Sequence, residues 1–352
     1  MIFSKKLISW YLQNKRSMPW RETTDPYRIW LSEIILQQTR VAQGLPYYLA
    51  FTEQYPTVFD LANAEEEQVL KLWQGLGYYS RARNLHTTAK YVANDLHGVF
   101  PTSYKELLKL KGVGDYTASA IASICYDEVV PVVDGNVYRV LSRYFNISTP
   151  INSTEGIKEF KKVAIEVMEQ EEPATYNQAI MEFGALQCKP QNPYCIVCPL
   201  NDSCESLQKG TVASLPVKLK KLKVKKRYFN YLIFLVDDKH TVIRQRTGKG
   251  IWQNLYEFPL IESDKDVNLE YVEKHAILKE SMSTSSYNIT VYEEEFKIHK
   301  LSHQHLYTRF YIIRTDNSPK FDDSCQLIPI DKIKEYPVPI LLGNFIDSFF
   351  KV

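Results

Sequence analysis

A chain of 352 residues exceeds what one hydrophobic core usually organises, so two domains are expected, each able to bury a core of its own. With 45% hydrophobic and 24% charged residues and a formal net charge of +2, the composition is that of a soluble globular protein; overall charge neither requires nor forbids a polyanionic partner, so the distribution of charge must decide. No uninterrupted apolar run reaches membrane-spanning length, and Lys5 and Lys6 precede a segment broken by Trp10, Tyr11, Gln13 and Asn14 rather than a signal-peptide core, which points to the cytoplasm and to no membrane partner.

Residues 4 to 15 read as a short amphipathic helix, and Met18-Pro19-Trp20-Arg21 breaks it. Asp25-Pro26 is a strong helix start, with Asp as cap and Pro in the first turn, and the helix is expected to run through PYRIWLSEIILQQTR. Within it Glu33 stands among Ile29, Trp30, Ile34 and Leu36, a costly setting for a carboxylate unless its proton is useful. The bland alternative is a solvent-facing residue paired with Arg28 or Arg40. Helical periodicity continues over 40–54, 65–73, 81–96 and 103–110, with a capping box at Ser103 and Glu106. A glycine-rich loop, Gly75-Leu76-Gly77-Tyr78-Tyr79-Ser80-Arg81, interrupts this run; its aromatics and arginines suit a DNA backbone and an intercalating wedge, or equally half-buried packing.

Leu110-Lys111-Gly112-Val113-Gly114 lies between two helical patterns as a tight hairpin with bare backbone amides, and Asp115 is read as the cap of the helix that follows, through about Ile124. Amides at a helix start can hold a phosphate without reading its base, although an ordinary helix-turn-helix corner has the same pattern. A lone Asp134 then occupies the turn Val133-Asp134-Gly135-Asn136, ahead of a further helix carrying Arg139 and Arg143. Two more helices, about 154–170 and 174–187, lead to Cys188, Cys195, Cys198 and Cys204. Four of the six cysteines within so short a stretch favour metal over disulfide in a reducing compartment, with structural zinc as the plain alternative to iron. Cys125 and Cys325 read as unligated thiols.

From Lys218 to Arg227 seven of ten residues are basic and none is acidic, the composition of a solvated linker. The texture then changes to strands: a hairpin over 228–236 and 241–246, strands near 288–296 and 305–314, and a helix at 269–279.

Three signatures carry a family resemblance. Leu31-Ser32-Glu33-Ile34-Ile35-Leu36-Gln37-Gln38-Thr39 resembles the LSE-x-x-LQQT signature of the adenine DNA glycosylases, the MutY family, whose endonuclease III cousins carry no carboxylate at this position. The hairpin with Asp134 twenty residues on resembles the helix-hairpin-helix glycosylases, and C-x6-C-x2-C-x5-C is similar to their 4Fe-4S loop. Gly250-x-Trp252-x-x-Leu255-x-Glu257-Phe258-Pro259 resembles a Nudix-like segment, but the R-E-x-x-E-E helix is missing and Glu262, Asp264 and Asp266 lack its spacing, so pyrophosphate hydrolysis is not expected.

The resemblance implies a multi-domain protein: an all-α helix-hairpin-helix glycosylase unit with a 4Fe-4S loop over 1–207 (a six-helix portion over about 23–129 and a cluster portion over 1–22 and 130–207), a basic linker over 208–227, and an α+β Nudix-like domain over 228–352. It implies a monomeric, monofunctional enzyme that excises adenine opposite 8-oxoguanine or guanine in duplex DNA. Glu33 would be the general acid and Asp134 the stabiliser of the cationic sugar, held ionised by turn amides. Tyr116 and Asn136 would hydrogen-bond these carboxylates; Tyr116 stands where the lyases of the superfamily carry a Schiff-base lysine. Trp20 and Arg21 would line the base pocket, and Gln38, Tyr78, Lys111, Gly112, Val113 and Gly114 would contact DNA. Ser302 and His303 would read 8-oxoguanine from a loop in which Leu301 replaces the family's Phe. Cys188, Cys195, Cys198 and Cys204 would hold the cluster. The rivals are a bifunctional pyrimidine glycosylase/lyase and a lesion-binding protein without catalysis.

Overall fold

Asp25 caps helix Pro26–Leu36 by accepting from Tyr27 N at 3.0 Å, with Pro26 in the first turn as expected. The helix stops at Leu36 rather than continuing to Arg40, because the backbone leaves the helical region at Gln37 (ψ 114°) and then turns left-handed at Gln38 (φ 57°). The computed structural model describes residues 2–219, 224–283 and 285–351. The chain forms two units, Met1–Asn63 with Asn84–Lys220, and Ala64–Arg83 with Lys221–Val352.

The first unit is helical among its described residues. Helix Asp115–Tyr126 is buried along Thr117 to Ser123, a run of small residues interrupted only by Ile121 that lets it pack on both Pro26–Leu36 and Pro173–Leu186. Helix Ile2–Asn14 lies on Pro173–Leu186, and Leu7, Leu141, Phe160 and Phe183 fill the core they share with Gly135–Tyr144. Burying each such side chain is worth about 1.5–3 kcal/mol. Ser103 does cap its helix, accepting from Glu106 N at 3.4 Å, but only Tyr104–Leu107 is helical. A short helix at Val58–Asn63 was not expected.

The second unit contains β1 (Lys225–Val236), β2 (His240–Gln245), β3 (Tyr256–Glu257), β4 (Leu260–Ser263), β5 (Asn288–Val291), β6 (Lys297–Lys300), β7 (Gln304–Thr315) and β8 (Cys325–Pro329). They form one mixed sheet ordered β3-β2-β1-β7-β5, with β4 on β1, β6 on β7 and β8 on β2. β1 and β7 run parallel from Lys225↔Gln304 to Val236↔Thr315. One face, with Leu232, Phe234, Tyr311 and Ile313, takes helices Leu269–Lys274 and Ala276–Ser281, a pair broken at His275 where a single helix was expected. Helix Ile340–Phe349 covers Phe310, which stacks on Phe345 at 4.0 Å.

The expected linker is mostly structured. Residues 208–219 belong to the helical unit: Leu215 is buried, its carbonyl accepts from Arg143 Nε at 3.1 Å, and Val217 O accepts from Ile151 N at 3.0 Å. Lys225 to Arg227 lie in β1, where the Arg227–Glu262 pair at 2.6 Å offsets the like-charge repulsion. Residues 220–223 of the linker lie outside the described residues.

Segment 64–83 joins the C-terminal unit through specific bonds. Asn254 Nδ2 donates to Glu66 at 2.6 Å, Arg83 Nη1 to Gln253 O at 2.8 Å, and Lys71 Nζ to Tyr336 O at 3.2 Å. No helix among the described residues is long and apolar enough to cross a membrane.

Candidate active site

In the helical unit, Trp20, Arg21, Glu33, Tyr116, Asp134 and Asn136 line one cavity of about 510 Å³, so the six residues assigned to catalysis and base binding come together. Glu33 is 8% exposed on the inner face of helix Pro26–Leu36, against the solvent-facing alternative. Burial pushes its carboxyl up to about 7; a hydrogen bond with Tyr116 and the Arg21 charge pull it back, and Asp134 adds to the rise. A carboxyl protonated near neutral pH can act as a general acid. Burial and the two neighbouring carboxyls in turn hold Tyr116 well above its ordinary value, so it remains a phenol.

Asp134 is the cap of helix Gly135–Tyr144. Its Oδ1 accepts from Asn136 N and Val137 N, both at 2.8 Å, and Oδ2 accepts from Asn136 Nδ2 at 2.7 Å. The turn amides are there as expected, yet burial outweighs them and the net shift of Asp134 is upward, opposed by those donors and by Arg139. The amides favour the ionised form but work against burial. What they do fix is orientation, with both oxygens used as acceptors.

Sequence reasoning missed the residues that hold these groups in place. Arg139 Nη2 donates to Asn136 Oδ1 at 2.9 Å and to Gly184 O at 2.6 Å, while its Nε reaches Cys188 O at 2.7 Å. A Cβ on Gly184 would sit 2.7 Å from Asn136 Cβ, so a glycine is required for helix Pro173–Leu186 to approach Asn136. Glu182, 1% exposed, is gripped by Arg16 (Nη2 at 2.6 Å) and Arg21 (Nη2 at 2.9 Å). Burial alone would raise Glu182, but the two guanidiniums take it down to about 2. This clamp fixes Arg21 on the cavity wall, and Trp20 is wedged edge-on against Tyr48 at 5.1 Å. Glu182 does carry a signal in the sequence, a carboxylate between Met181 and Phe183 in an apolar run, which is the pattern that marks Glu33.

In the hairpin, Gly112 adopts φ +81°, and a Cβ there would meet Asn84 Cβ at 2.8 Å; Val113 is buried, and Lys111 and Gly114 are exposed. Thr88 Oγ1 holds the turn through Lys111 O at 2.8 Å. The helix cap is Gly114, not Asp115, which is the first helical residue and pairs with Lys161 at 3.1 Å and with the Tyr104 hydroxyl. Gln38 is exposed.

Tyr78, Ser302 and His303 belong to the second unit. Tyr78 is 48% exposed at φ 49°, and its hydroxyl is 2.6 Å from Ser302 Oγ. Both line a cavity of about 400 Å³ with Trp252, Leu301 and His303. Ser302 and His303 form the turn between β6 and β7, closed by Leu301 N to Gln304 O at 2.9 Å. Tyr79, by contrast, is buried packing.

Cys188, Cys195, Cys198 and Cys204 line one cavity with Val140, Phe183 and Leu200. Arg143 ties their loop down, donating to Lys189 O at 2.6 Å, to Pro190 O at 3.0 Å and toward Cys188 Sγ at 3.5 Å. Among the described residues no three His, Cys, Asp or Glu side chains converge as ligands of a single ion. Four sulfurs spread round an apolar-walled cavity fit a cluster whose corners each take one thiolate.

Residues 31–164 match the HhH-GPD superfamily base excision DNA repair protein model, and residues 230–348 match the NUDIX domain. An adenine DNA glycosylase of Buchnera aphidicola subsp. Baizongia pistaciae is 34% identical over 87% of this chain and 84% of its own. One from Mus musculus is 42% identical over 61% of this chain, a match that spans 44% of the mouse protein. Among solved structures, a thermostable thymine-DNA glycosylase superposes with TM-score 0.55 at 29% identity, covering 59% of this chain and 96% of that one. The chain therefore belongs to the adenine DNA glycosylase family.

Proposed function

We propose that the protein removes adenine from duplex DNA by hydrolysing its N-glycosidic bond, as a first step of base excision repair. The observation that carries this reading is the pair Glu33 and Asp134 in one cavity, one carboxyl lifted to about 7 and the other held as an acceptor by three N–H donors. Adenine leaves poorly until N7 is protonated, and its departure puts positive charge on the sugar. Glu33 supplies the proton, and Asp134 faces the charge as it develops, so that its ionised form is favoured in the transition state. Asn136 and Arg139 keep Asp134 in register. With a phenol at 116, no Schiff base forms and the strand is not cut. The purified protein should release adenine from A·8-oxoguanine and A·G duplexes; release of thymine or oxidised pyrimidine with adenine untouched would overturn the reading.

DNA is held by the hairpin amides around Gly112 and Gly114, with Lys111 and Gln38 at the backbone and Tyr78 as the wedge. Ser302 and His303 read 8-oxoguanine, supported by their exposure at the rim of the same cavity as Tyr78. Ser302→Ala with His303→Ala should lose roughly 1–3 kcal/mol of discrimination between 8-oxoguanine and guanine opposite adenine, the scale of one good base contact. Equal excision ratios for wild type and double variant would reduce the loop to a turn.

Cys188, Cys195, Cys198 and Cys204 hold a 4Fe-4S cluster, which when bound cross-links the loop that Arg139 and Arg143 tie to the active-site helix. The protein should be yellow-brown, and Cys198→Ser should lower both iron content and folded yield. About one zinc and no iron per chain would refute the assignment.

A further inference from the structure

Tyr116 has one hydroxyl hydrogen and two acceptors competing for it. Its hydroxyl donates to Met181 Sδ at 3.3 Å, and the Glu33 carboxyl lines the same cavity close enough for the two groups to shift each other's titration. Met181, on helix Pro173–Leu186, lines the same cavity as Glu33 and Asp134. We propose that Met181 is a positioning residue for the general acid: by taking the Tyr116 hydrogen, its thioether leaves the phenol oxygen free to accept the proton of neutral Glu33. This inference rests on Glu33 being the acid.

The two protonation states use the phenol differently. When Glu33 is neutral, its O–H donates to Tyr116 Oη while the Tyr116 hydrogen rests on sulfur, and every hydrogen has an acceptor. When Glu33 is ionised, the Tyr116 hydrogen must leave Met181 for the carboxylate. The sulfur, a weak acceptor, thus favours the protonated acid by the worth of one weak hydrogen bond. The other titratable or charged groups facing Glu33 are Arg21 from the turn before its helix, Cys125 toward the far end of helix Asp115–Tyr126, Asp134 and Arg139 from the next helix and its cap, and Arg16, Glu182 and Arg40 on the cavity lining. None of them accepts the Tyr116 hydrogen in this arrangement, and Met181→Leu changes none of their charges.

The test is the pH profile of single-turnover adenine release by the full-length protein on an A·8-oxoguanine duplex, for wild type, Met181→Leu, Tyr116→Phe and the double variant. Leucine conserves volume but not the acceptor. Met181→Leu should move the alkaline limb down by about half a unit to one unit, which is roughly three- to tenfold less activity above it. On the Tyr116→Phe background the same change should move nothing, because the shared hydrogen is gone. A limb that stays put in Met181→Leu, or a shift of the same size on the Phe background, would overturn the proposal while leaving Glu33 as the acid. A wild-type profile without an alkaline limb would instead overturn the Glu33 assignment beneath it.

Discussion

Glu33→Gln should abolish adenine release while leaving duplex binding nearly intact, because it removes a proton donor but almost no surface that phosphates would feel. Losing a well-placed general acid costs about a hundredfold to ten-thousandfold in rate. The same change should stabilise the fold at high pH. Burial raises the folded-state pKa of Glu33 from 4.5 to about 7, so the native state binds the extra proton; below pH 4.5 the residue carries no penalty, and the penalty grows as pH rises from 4.5 to 7 and is complete above that. At pH 8 the Gln variant should exceed wild type in urea unfolding by on the order of 3 kcal/mol, with the difference vanishing near pH 4. Full single-turnover activity in the variant, or equal stability at both pH values, would contradict a buried, functional acid.

Glu182→Gln should be the most damaging change to stability around the cavity. It leaves Arg16 and Arg21 without their shared counter-charge beside a side-chain position that is 1% exposed. Breaking such a buried ion cluster costs about 3–5 kcal/mol. Here the sign is the opposite of that for Glu33: the folded-state pKa of about 2 lies below the ordinary 4.5, so the stabilisation is complete above pH 4.5 and is lost as pH falls toward 2. Wild type should therefore lose stability across that acid window, and Glu182→Gln should lose much less of it. Parallel denaturation curves for the two proteins between about pH 5 and 2 would show that the clamp contributes little.

Local chemistry makes several features of the site readable. Gly112 needs a left-handed turn, Asp134 caps its own helix, and the cysteine spacing is contained in one loop, so each can be recognised from a few adjacent residues. Glu33 is readable because a carboxylate among Ile29, Trp30 and Ile34 contradicts its surroundings. Other features depend on partners far along the chain. Arg16 meets Glu182 across 166 positions, Tyr116 meets Met181 across 65, and Arg139 meets Gly184 across 45. The helix from Pro26 ends at an extended Gln37 followed by a left-handed Gln38, a turn that two glutamines do not announce. The basic stretch before β1 looks like a solvated linker because its charge is visible in the sequence, whereas the pairing of β1 to β7 and the burial of Leu215 are not. The union of 64–83 with the C-terminal unit follows from bonds such as Asn254–Glu66, 188 positions apart.

Carboxylate-driven hydrolysis frees adenine and leaves the sugar–phosphate strand whole. One measurement tests it most directly: single-turnover reaction with an A·8-oxoguanine duplex, each time point divided and analysed for free adenine, for strand length before and after hot alkali, and for covalent complex after borohydride. Adenine should be released in proportion to alkali-labile sites, with a full-length strand until alkali is added and no trapped complex. Strand scission without alkali together with a borohydride-trapped adduct, or a duplex bound with no adenine released, would contradict it.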